Sequence, residues 1–285
     1  MHVKENVSKK TVSVLMIGDI VGIPGRALLQ SALAHLRDKY CPDLVIVNGE
    51  NSAKGGRGIT PAIVSEFERQ GVDVITGGNH SFSRKEIVDF ISTSKTLLRP
   101  LNYPSGCPGS GIAFISLPIF DRPIAVVNLQ GRVFMRELLL CPFKTLETAL
   151  TLIKSRADIV LVDFHAEATS EKMGLAHYFD GQVSAIVGTH THVPTADEKI
   201  LPKGTAFVTD LGMCGSTNSM LGMNTESVLQ NLITQMPSKF SVSTKPPFVL
   251  TGVVLCIGVD GKAQKIERVS VTRDMLSFDE FMFRD

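Results

Sequence analysis

Short runs of aliphatic and β-branched residues alternate along this chain with longer segments of helical periodicity, which is the pattern of an α/β fold. Residues 12–17 predict a first strand, and leucines that recur at helical spacing predict a helix over residues 24–40. Comparable runs predict further strands at residues 44–47, 72–76, 112–117, 124–129, 159–162, 185–187, 206–209, 249–259 and 266–271.

Helix signals fill the intervals between these strands. Thr60 is a predicted N-cap followed by Pro61 at the first helical position. An irregular segment is predicted over residues 99–110, because Pro, Gly and Asn are dense there. Further helices are predicted around residues 84–91, over residues 143–156 and past Glu171.

The chain has 285 residues, of which 44% are hydrophobic, so one domain can bury a substantial core. We expect that domain to span residues 12–272, with an N-terminal tail over residues 1–11 and a C-terminal tail over residues 273–285. The net charge of +1 provides no overall field that would attract nucleic acid, so we expect no stable nucleic-acid partner.

Neither a secretion signal nor a membrane span is predicted. Asp19 interrupts the apolar run that follows the N-terminal lysines, and no small-residue cleavage site comes after it. The longest later apolar stretch, residues 248–259, is far shorter than the roughly 20 residues that cross a bilayer. The five cysteines are scattered and form no CxxC pair, which is typical of a reducing compartment. We therefore expect a soluble, cytoplasmic protein.

Polar side chains of the kind that bind metals follow five of the predicted strands. In open α/β sheets, ligands collect beyond the carboxyl ends of the strands, where loops and helix N-termini converge. A glycine precedes several of these side chains and leaves room for a sharp turn and an ion. The candidate residues at the strand ends are Asp19, Glu50, Asn51, Asn79, His80, Asp163, His165, His190 and His192.

The composition of this set indicates which metals it suits. Carboxylate, carboxamide and imidazole groups together favour manganese, iron or zinc over calcium or magnesium, which prefer oxygen ligands throughout. His190 and His192 are two residues apart, so they share one face of a regular strand, and in a turn they can converge on neighbouring ions. The other three histidines, His2, His35 and His177, are interpreted as structural or surface residues.

At these residues the sequence resembles the YmdB-type 2′,3′-cyclic-nucleotide phosphodiesterases, a branch of the calcineurin-like metallophosphoesterases. The phrases that carry the resemblance are Gly18-Asp-Ile-Val-Gly, Asn48-Gly-Glu-Asn, Gly78-Asn-His, Val162-Asp-Phe-His-Ala-Glu and Gly188-Thr-His-Thr-His-Val. The resemblance runs from about residue 12 to residue 272. It implies a four-layer α/β/β/α sandwich, with two mixed sheets flanked by helices and a dinuclear metal site at one edge.

The resemblance also implies a role for each matching residue. One ion would be bound by Asp19, Glu50, Asn51 and His192, and the other by Glu50, Asn79, His165 and His190. Glu50 would bridge the two ions, and Asp163 is the neighbouring carboxylate that could bridge in its place. His80 would donate a proton to the leaving oxygen.

The implied activity is hydrolysis of 2′,3′-cyclic nucleotides to 3′-nucleotides, with a hydroxide held between two divalent or trivalent ions, iron or manganese, as the attacking group. The partner would be a small phosphodiester, and the sequence is compatible with a homo-oligomer. One departure concerns the residues after Asn79-His80. The branch typically has Thr-Trp-Asp there, whereas this chain has Ser81-Phe82-Ser83, which removes a carboxylate beside His80.

Other interpretations use fewer of these residues. A dinucleotide site at Gly18, Gly22 and Gly25 has the wrong spacing and leaves the histidines unused. An isolated cysteine such as Cys214 is usually a small buried apolar residue. A regulatory protein that binds a nucleotide or a partner, with low catalytic activity, is the alternative that Ser83 keeps open. Substrate contacts could come from Arg99, Tyr103, Arg132 and Phe134, although side chains of these types in a loop are usually packed or solvated.

Overall fold

The computed structural model describes residues 11–118 and 120–276. The strands are β1 Thr11–Ile20, β2 Leu44–Asn48, β3 Val74–Thr76, β4 Ile112–Ile115, β5 Ile124–Gln130, β6 Val160–His165, β7 Ala185–Thr189, β8 Lys199–Ile200, β9 Ala206–Val208, β10 Met213–Ser216, β11 Phe248–Gly258 and β12 Ala263–Arg273. The helices are α1 Gly22–Tyr40, α2 Pro61–Arg69, α3 Ile87–Phe90, α4 Pro142–Arg156, α5 Thr169–Tyr178 and α6 Thr225–Thr234.

The strands form two mixed six-stranded sheets. The first has the order β12-β11-β10-β1-β2-β3, in which β1, β2, β3 and β10 are parallel and β11 runs antiparallel to its neighbours. The second has the order β4-β5-β6-β7-β9-β8, with a parallel centre from β5 to β9 and an antiparallel strand at each edge. The parallel strands of each sheet therefore end at a common edge.

Alternation of side chains along the strands creates a helix–sheet–sheet–helix arrangement. In β1, Leu15 and Ile17 pack with α1 and α2, whereas Val14 and Met16 point to the other face and pack against the second sheet. The second sheet packs its outer face against α4 and α5, with Phe164 in that cluster. The predicted four-layer α/β/β/α sandwich is thus confirmed.

Most predicted elements are present with small shifts of their ends. Thr60 caps α2, with its hydroxyl accepting the Ile63 N–H at 3.4 Å, and residues 99–110 contain no helix or named strand. The predicted helix around residues 84–91 is a single turn, α3. β8, β10 and α6 were not predicted, although Val228, Leu229, Leu232 and Ile233 have helical spacing in α6.

The ends of the predicted domain lie in strands. Thr11 begins β1 and Arg273 ends β12, so the ordered sheet extends one residue further at each end than the predicted range. Of the predicted tails, residues 274–276 are described and follow β12, whereas residues 1–10 and 277–285 lie outside the described residues. Within the part that is described, no helix has both the length and the apolar composition that a bilayer crossing requires.

Candidate metal centre

The predicted site residues meet where the parallel strands of both sheets end. Asp19 lies in β1, His165 is the last residue of β6, and Glu50, Asn79 and His190 follow β2, β3 and β7. Because the two sheets pack face to face, residues more than a hundred positions apart reach the same edge. Asp19, Glu50, Asn51 and His165 are buried there.

The most compact group surrounds the ring of His165. Its Nε2 atom lies 3.0 Å from Glu50 Oε1, 3.0 Å from Asn79 Oδ1 and 3.0 Å from His190 Nδ1. Glu50, His165 and His190 present ligand atoms that all lie within 4.8 Å of one another. Oxygen and nitrogen atoms with lone pairs are thus held together around one point.

Hydrogen bonds fix the protonation of the His165 ring. Thr189 Oγ1 donates to Asp163 Oδ1 at 2.7 Å, so its oxygen is available to accept from His165 Nδ1 at 3.0 Å. With the proton on Nδ1, the Nε2 atom of His165 carries a free lone pair. This is the arrangement in which a second group orients a metal-binding histidine.

The rings of His190 and His192 are oriented in the same way. The Nε2 atom of His190 lies 3.1 Å from the carboxylate of Glu167, which leaves Nδ1 as the lone-pair atom that faces His165. His192 places Nδ1 3.0 Å from the carbonyl oxygen of Leu221, which leaves Nε2 directed toward Asp19 Oδ1 at 3.8 Å. All three imidazoles therefore direct one ring nitrogen into the site and the other toward a hydrogen-bond partner.

Two buried oxygen atoms in the site have no hydrogen-bond partner among the described residues. They are Asp19 Oδ1 and Asn51 Oδ1. The other atoms of these groups are occupied, since Asp19 Oδ2 accepts the His190 N–H at 3.1 Å and Asn51 Nδ2 donates to Gly56 O at 2.9 Å. A buried acceptor without a donor costs free energy of folding. A bound cation would remove that cost, because both oxygens could coordinate it. The residues present thus suit metal ions.

The electrostatics of the site agree with this fit. Burial, together with the charge of Glu50, raises the pKa of Asp19 well above its usual range, and burial also raises the pKa of Glu50. Burial lowers the pKa of His165 and lowers the pKa of His190 to about 4. Neutral imidazoles are the form that binds metals, and a cation would offset the repulsion between the buried carboxylates.

Tight backbone geometry shapes the site. His190 and His192 have φ angles of 101° and 64°, so the segment after β7 is a turn in the left-handed region and not a continuing strand. A Cβ atom at Gly78 would collide with the His165 ring and the Glu50 carboxylate. Glycine at position 78 therefore leaves the space in which Glu50 and His165 approach each other.

His80 lies beside this group and is oriented differently. Its backbone N–H donates to Glu50 Oε2 at 2.9 Å, and its ring Nδ1 lies 3.4 Å from the Ser83 hydroxyl. Burial is the largest effect on its ring and lowers the pKa of His80. Ser83 thus supplies a hydroxyl contact to the His80 ring.

A buried polar network lies beneath the site and was not foreseen in the sequence. Asp163 accepts hydrogen bonds from the hydroxyls of Thr76 and Thr189 and, at 3.2 Å, from the side-chain amide of Asn48. Thr76 and Asn48 belong to the first sheet and Asp163 to the second, so these bonds link the two sheets. Burial raises the pKa of Asp163 to about 6. With three donors on its two oxygens, Asp163 supports Thr189, which in turn contacts the His165 ring.

Other candidates from the sequence have structural roles. The Arg99 guanidinium donates to the carbonyls of Pro100, Cys107 and Pro108, so it is committed to its own loop. Cys214 is buried, its thiol donates to Gly25 O at 3.2 Å, and burial raises the pKa of that thiol. The glycine at position 25 is required because a Cβ there would meet the Cys214 carbonyl. Neither the cysteine nor the glycines form a separate ligand site.

The aromatic candidates differ in exposure. Tyr103 packs edge-on against Phe82 with ring centroids 5.4 Å apart, and burial raises the pKa of Tyr103 to about 12. Phe134 is 86% exposed with a φ angle of 63°, and Arg132 is exposed while its backbone N–H donates to Glu171. Of the four suggested substrate contacts, Arg132 and Phe134 are the two whose side chains project into solvent.

Comparison with known proteins reveals close relatives. The family model described as YmdB-like protein matches residues 15–269. A 2′,3′-cyclic-nucleotide 2′-phosphodiesterase of Bacillus subtilis is 44% identical over 93% of this chain and 99% of its own length. A putative phosphatase/phosphodiesterase of Mycoplasma pneumoniae is 37% identical over 93% of this chain and 94% of its own length.

Solved structures give the same result. A hypothetical protein from Thermus thermophilus superposes with a TM-score of 0.85 at 39% identity, over 92% of this chain and all of that one. A novel phosphatase from Mycoplasma pneumoniae superposes with a TM-score of 0.86 at 36% identity, over 93% of this chain and 94% of that one. A 5′-nucleotidase precursor from Thermus thermophilus, at 12% identity and a TM-score of 0.55 over 93% of this chain and 55% of that one, shares the fold.

Proposed function

This chain belongs to the YmdB-like protein family, and from that premise we propose that it is a metal-dependent phosphodiesterase that hydrolyses 2′,3′-cyclic nucleotides to 3′-nucleotides. The observation that carries the proposal is the group around His165. Potential ligand atoms of Glu50, Asn79 and His190 each lie 3.0 Å from the Nε2 atom of His165. When the ring nitrogens carry lone pairs, as they do in a metal-binding histidine, these atoms repel one another unless a cation lies among them.

The geometry supports two ligand sets, which are those that the resemblance implies. Glu50, Asn79, His165 and His190 would hold one ion, and the free oxygens of Asp19 and Asn51 would hold the other with His192 and Glu50. Nitrogen and oxygen ligands in this proportion suit manganese or iron. When bound, two such ions supply positive charge to the phosphate oxygens and lower the pKa of an attacking water.

The chain's own residues then perform the remaining steps. Hydrolysis forms a bond between phosphorus and a water oxygen and breaks the bond between phosphorus and O2′, which must take up a proton. His80 is the proton donor in this proposal, because its ring lies next to the ligand group and contacts the Ser83 hydroxyl through Nδ1. The hydrogen bond from its backbone N–H to Glu50 fixes its position relative to the ligands.

The products of hydrolysis test the proposal. Protein loaded with manganese is expected to convert 2′,3′-cyclic AMP to adenosine 3′-monophosphate, which anion-exchange chromatography separates from the 2′ isomer. The isomer 3′,5′-cyclic AMP is the control substrate, because its phosphate joins different ribose oxygens and so tests whether hydrolysis depends on the 2′,3′-cyclic phosphate. A predominance of the 2′-monophosphate would contradict the proposed regiochemistry. If neither 2′,3′-cyclic AMP nor bis(p-nitrophenyl) phosphate is turned over, the regulatory alternative replaces the enzyme.

A further inference from the structure

A buried ion pair lies directly behind the proposed metal centre. Lys172 in α5 places Nζ 2.7 Å from Asp210 Oδ2, and each side chain is only 1% exposed. The Lys172 stem passes under Gly188, where a Cβ atom would lie 2.9 Å from Lys172 Cδ. A buried ion pair often contributes little net stability, because both charges lose their hydration. Its location therefore calls for another explanation.

The carboxylate of Asp210 accepts hydrogen bonds from two backbone N–H groups, one in the segment after β7 and one in the segment before β10. Thr191 donates to Oδ2 at 3.1 Å, and Gly212 donates to Oδ1 at 2.8 Å. Thr191 lies between the two candidate ligands His190 and His192. The carbonyl oxygen of Gly212 accepts the N–H of Asp19 at 3.0 Å. One carboxylate is thus connected, through one or two hydrogen bonds, to the backbones that carry three candidate ligands.

These backbones need such anchors. His190 and His192 have left-handed φ angles of 101° and 64°, and the φ angle of Gly212 is 78°. Residues other than glycine hold such angles only where the surroundings oppose relaxation. The Lys172 ammonium in turn compensates the charge of the Asp210 carboxylate, both of whose oxygens accept hydrogen bonds.

We propose that Lys172 and Asp210 are positioning residues, which hold His190, His192 and Asp19 in the geometry that binds the ions. This inference rests on the proposed dinuclear site. Groups that orient metal ligands typically change metal affinity by about 10- to 100-fold when they are removed. We expect Asp210→Asn to weaken metal binding by that factor, since an amide has one oxygen and leaves one of the two backbone N–H groups without an acceptor.

A second buried ion pair provides the matched control. Arg26 in α1 and Glu66 in α2 are 3.2 Å apart, with side chains 0% and 1% exposed. Neither residue belongs to the ligand set. Asp210→Asn and Glu66→Gln each neutralise one carboxylate of a buried pair, so both are expected to lower the melting temperature of the metal-free protein. Only Asp210→Asn is expected to weaken metal binding.

The experiment measures the melting temperature of the metal-free protein and manganese affinity by calorimetric titration. The double variant Lys172→Met/Asp210→Asn removes both charges, so its melting temperature is expected to recover relative to Asp210→Asn while manganese affinity stays about 10- to 100-fold weaker than in the wild type. If Asp210→Asn does not fold, the double variant supplies the affinity measurement in its place.

Unchanged manganese affinity in these variants, or an equal loss of affinity in Glu66→Gln, would overturn the positioning role. Wild-type protein that binds no manganese would instead overturn the proposed function, and this inference with it.

Discussion

Replacement of Glu50 by alanine is expected to remove both ions and to lower hydrolysis by about a thousandfold or more. Glu50 is the one carboxylate that we assign to both ions, and its two oxygens contact different parts of the site. Oε1 lies 3.0 Å from His165 Nε2, whereas Oε2 accepts the backbone N–H of His80 at 2.9 Å. Without Glu50 each ion would lose a ligand and compensating negative charge, so neither is expected to stay bound, and the backbone N–H of His80 would lose its acceptor.

Asp19→Ala is the matched comparison for Glu50→Ala. Asp19 is also a buried carboxylate, but we assign it to one ion only, so the other ion keeps Glu50, Asn79, His165 and His190. We expect Asp19→Ala to retain up to about one metal per chain and Glu50→Ala to retain less. Elemental analysis of both variants, after identical loading and desalting, measures this difference. Two metals on Glu50→Ala would mean that the bridge lies elsewhere.

Replacement of His80 by alanine is expected to lower turnover by about 10²- to 10⁴-fold while both ions stay bound. The ring of His80 contacts Ser83 Oγ at 3.4 Å, whereas its link to Glu50 is through the backbone, which alanine retains. Steady-state rates and metal content are measured on the same preparation. A parallel fall in metal content would reassign His80 as a ligand. The companion variant Ser83→Asp, which places a carboxylate beside the ring, is expected to raise turnover.

That the candidate ligands lie close together was predictable because strand ends are visible in the sequence. Five apolar runs each end in a potential ligand, and parallel strands bring their carboxyl ends to one edge, so Asp19 and His165 could be expected to meet. The family resemblance added which residues share an ion. The four-layer arrangement was implied by the same resemblance, while the alternation of strands and helices indicated the α/β class.

The groups that orient the ligands were not predictable in this way. Thr189, Glu167 and Lys172 act through contacts that only the packed sheets create, and a threonine or lysine in the sequence carries no metal-binding signal. Asp210 is an exception, because it directly follows the strand predicted at residues 206–209. A carboxylate at the end of a predicted strand is also what Asp19 and Asp163 show, so the position of Asp210 was a signal that could have been used.

The dependence of hydrolysis on metal tests the central claim most directly. The protein is to be treated with a chelator, desalted and shown by elemental analysis to be free of metal, and then assayed on 2′,3′-cyclic AMP before and after addition of manganese or iron. We predict no measurable hydrolysis in the metal-free sample and restored hydrolysis as the metal content approaches about two ions per chain. Full activity in the metal-free sample would contradict the assignment of this protein as a metal-dependent phosphodiesterase.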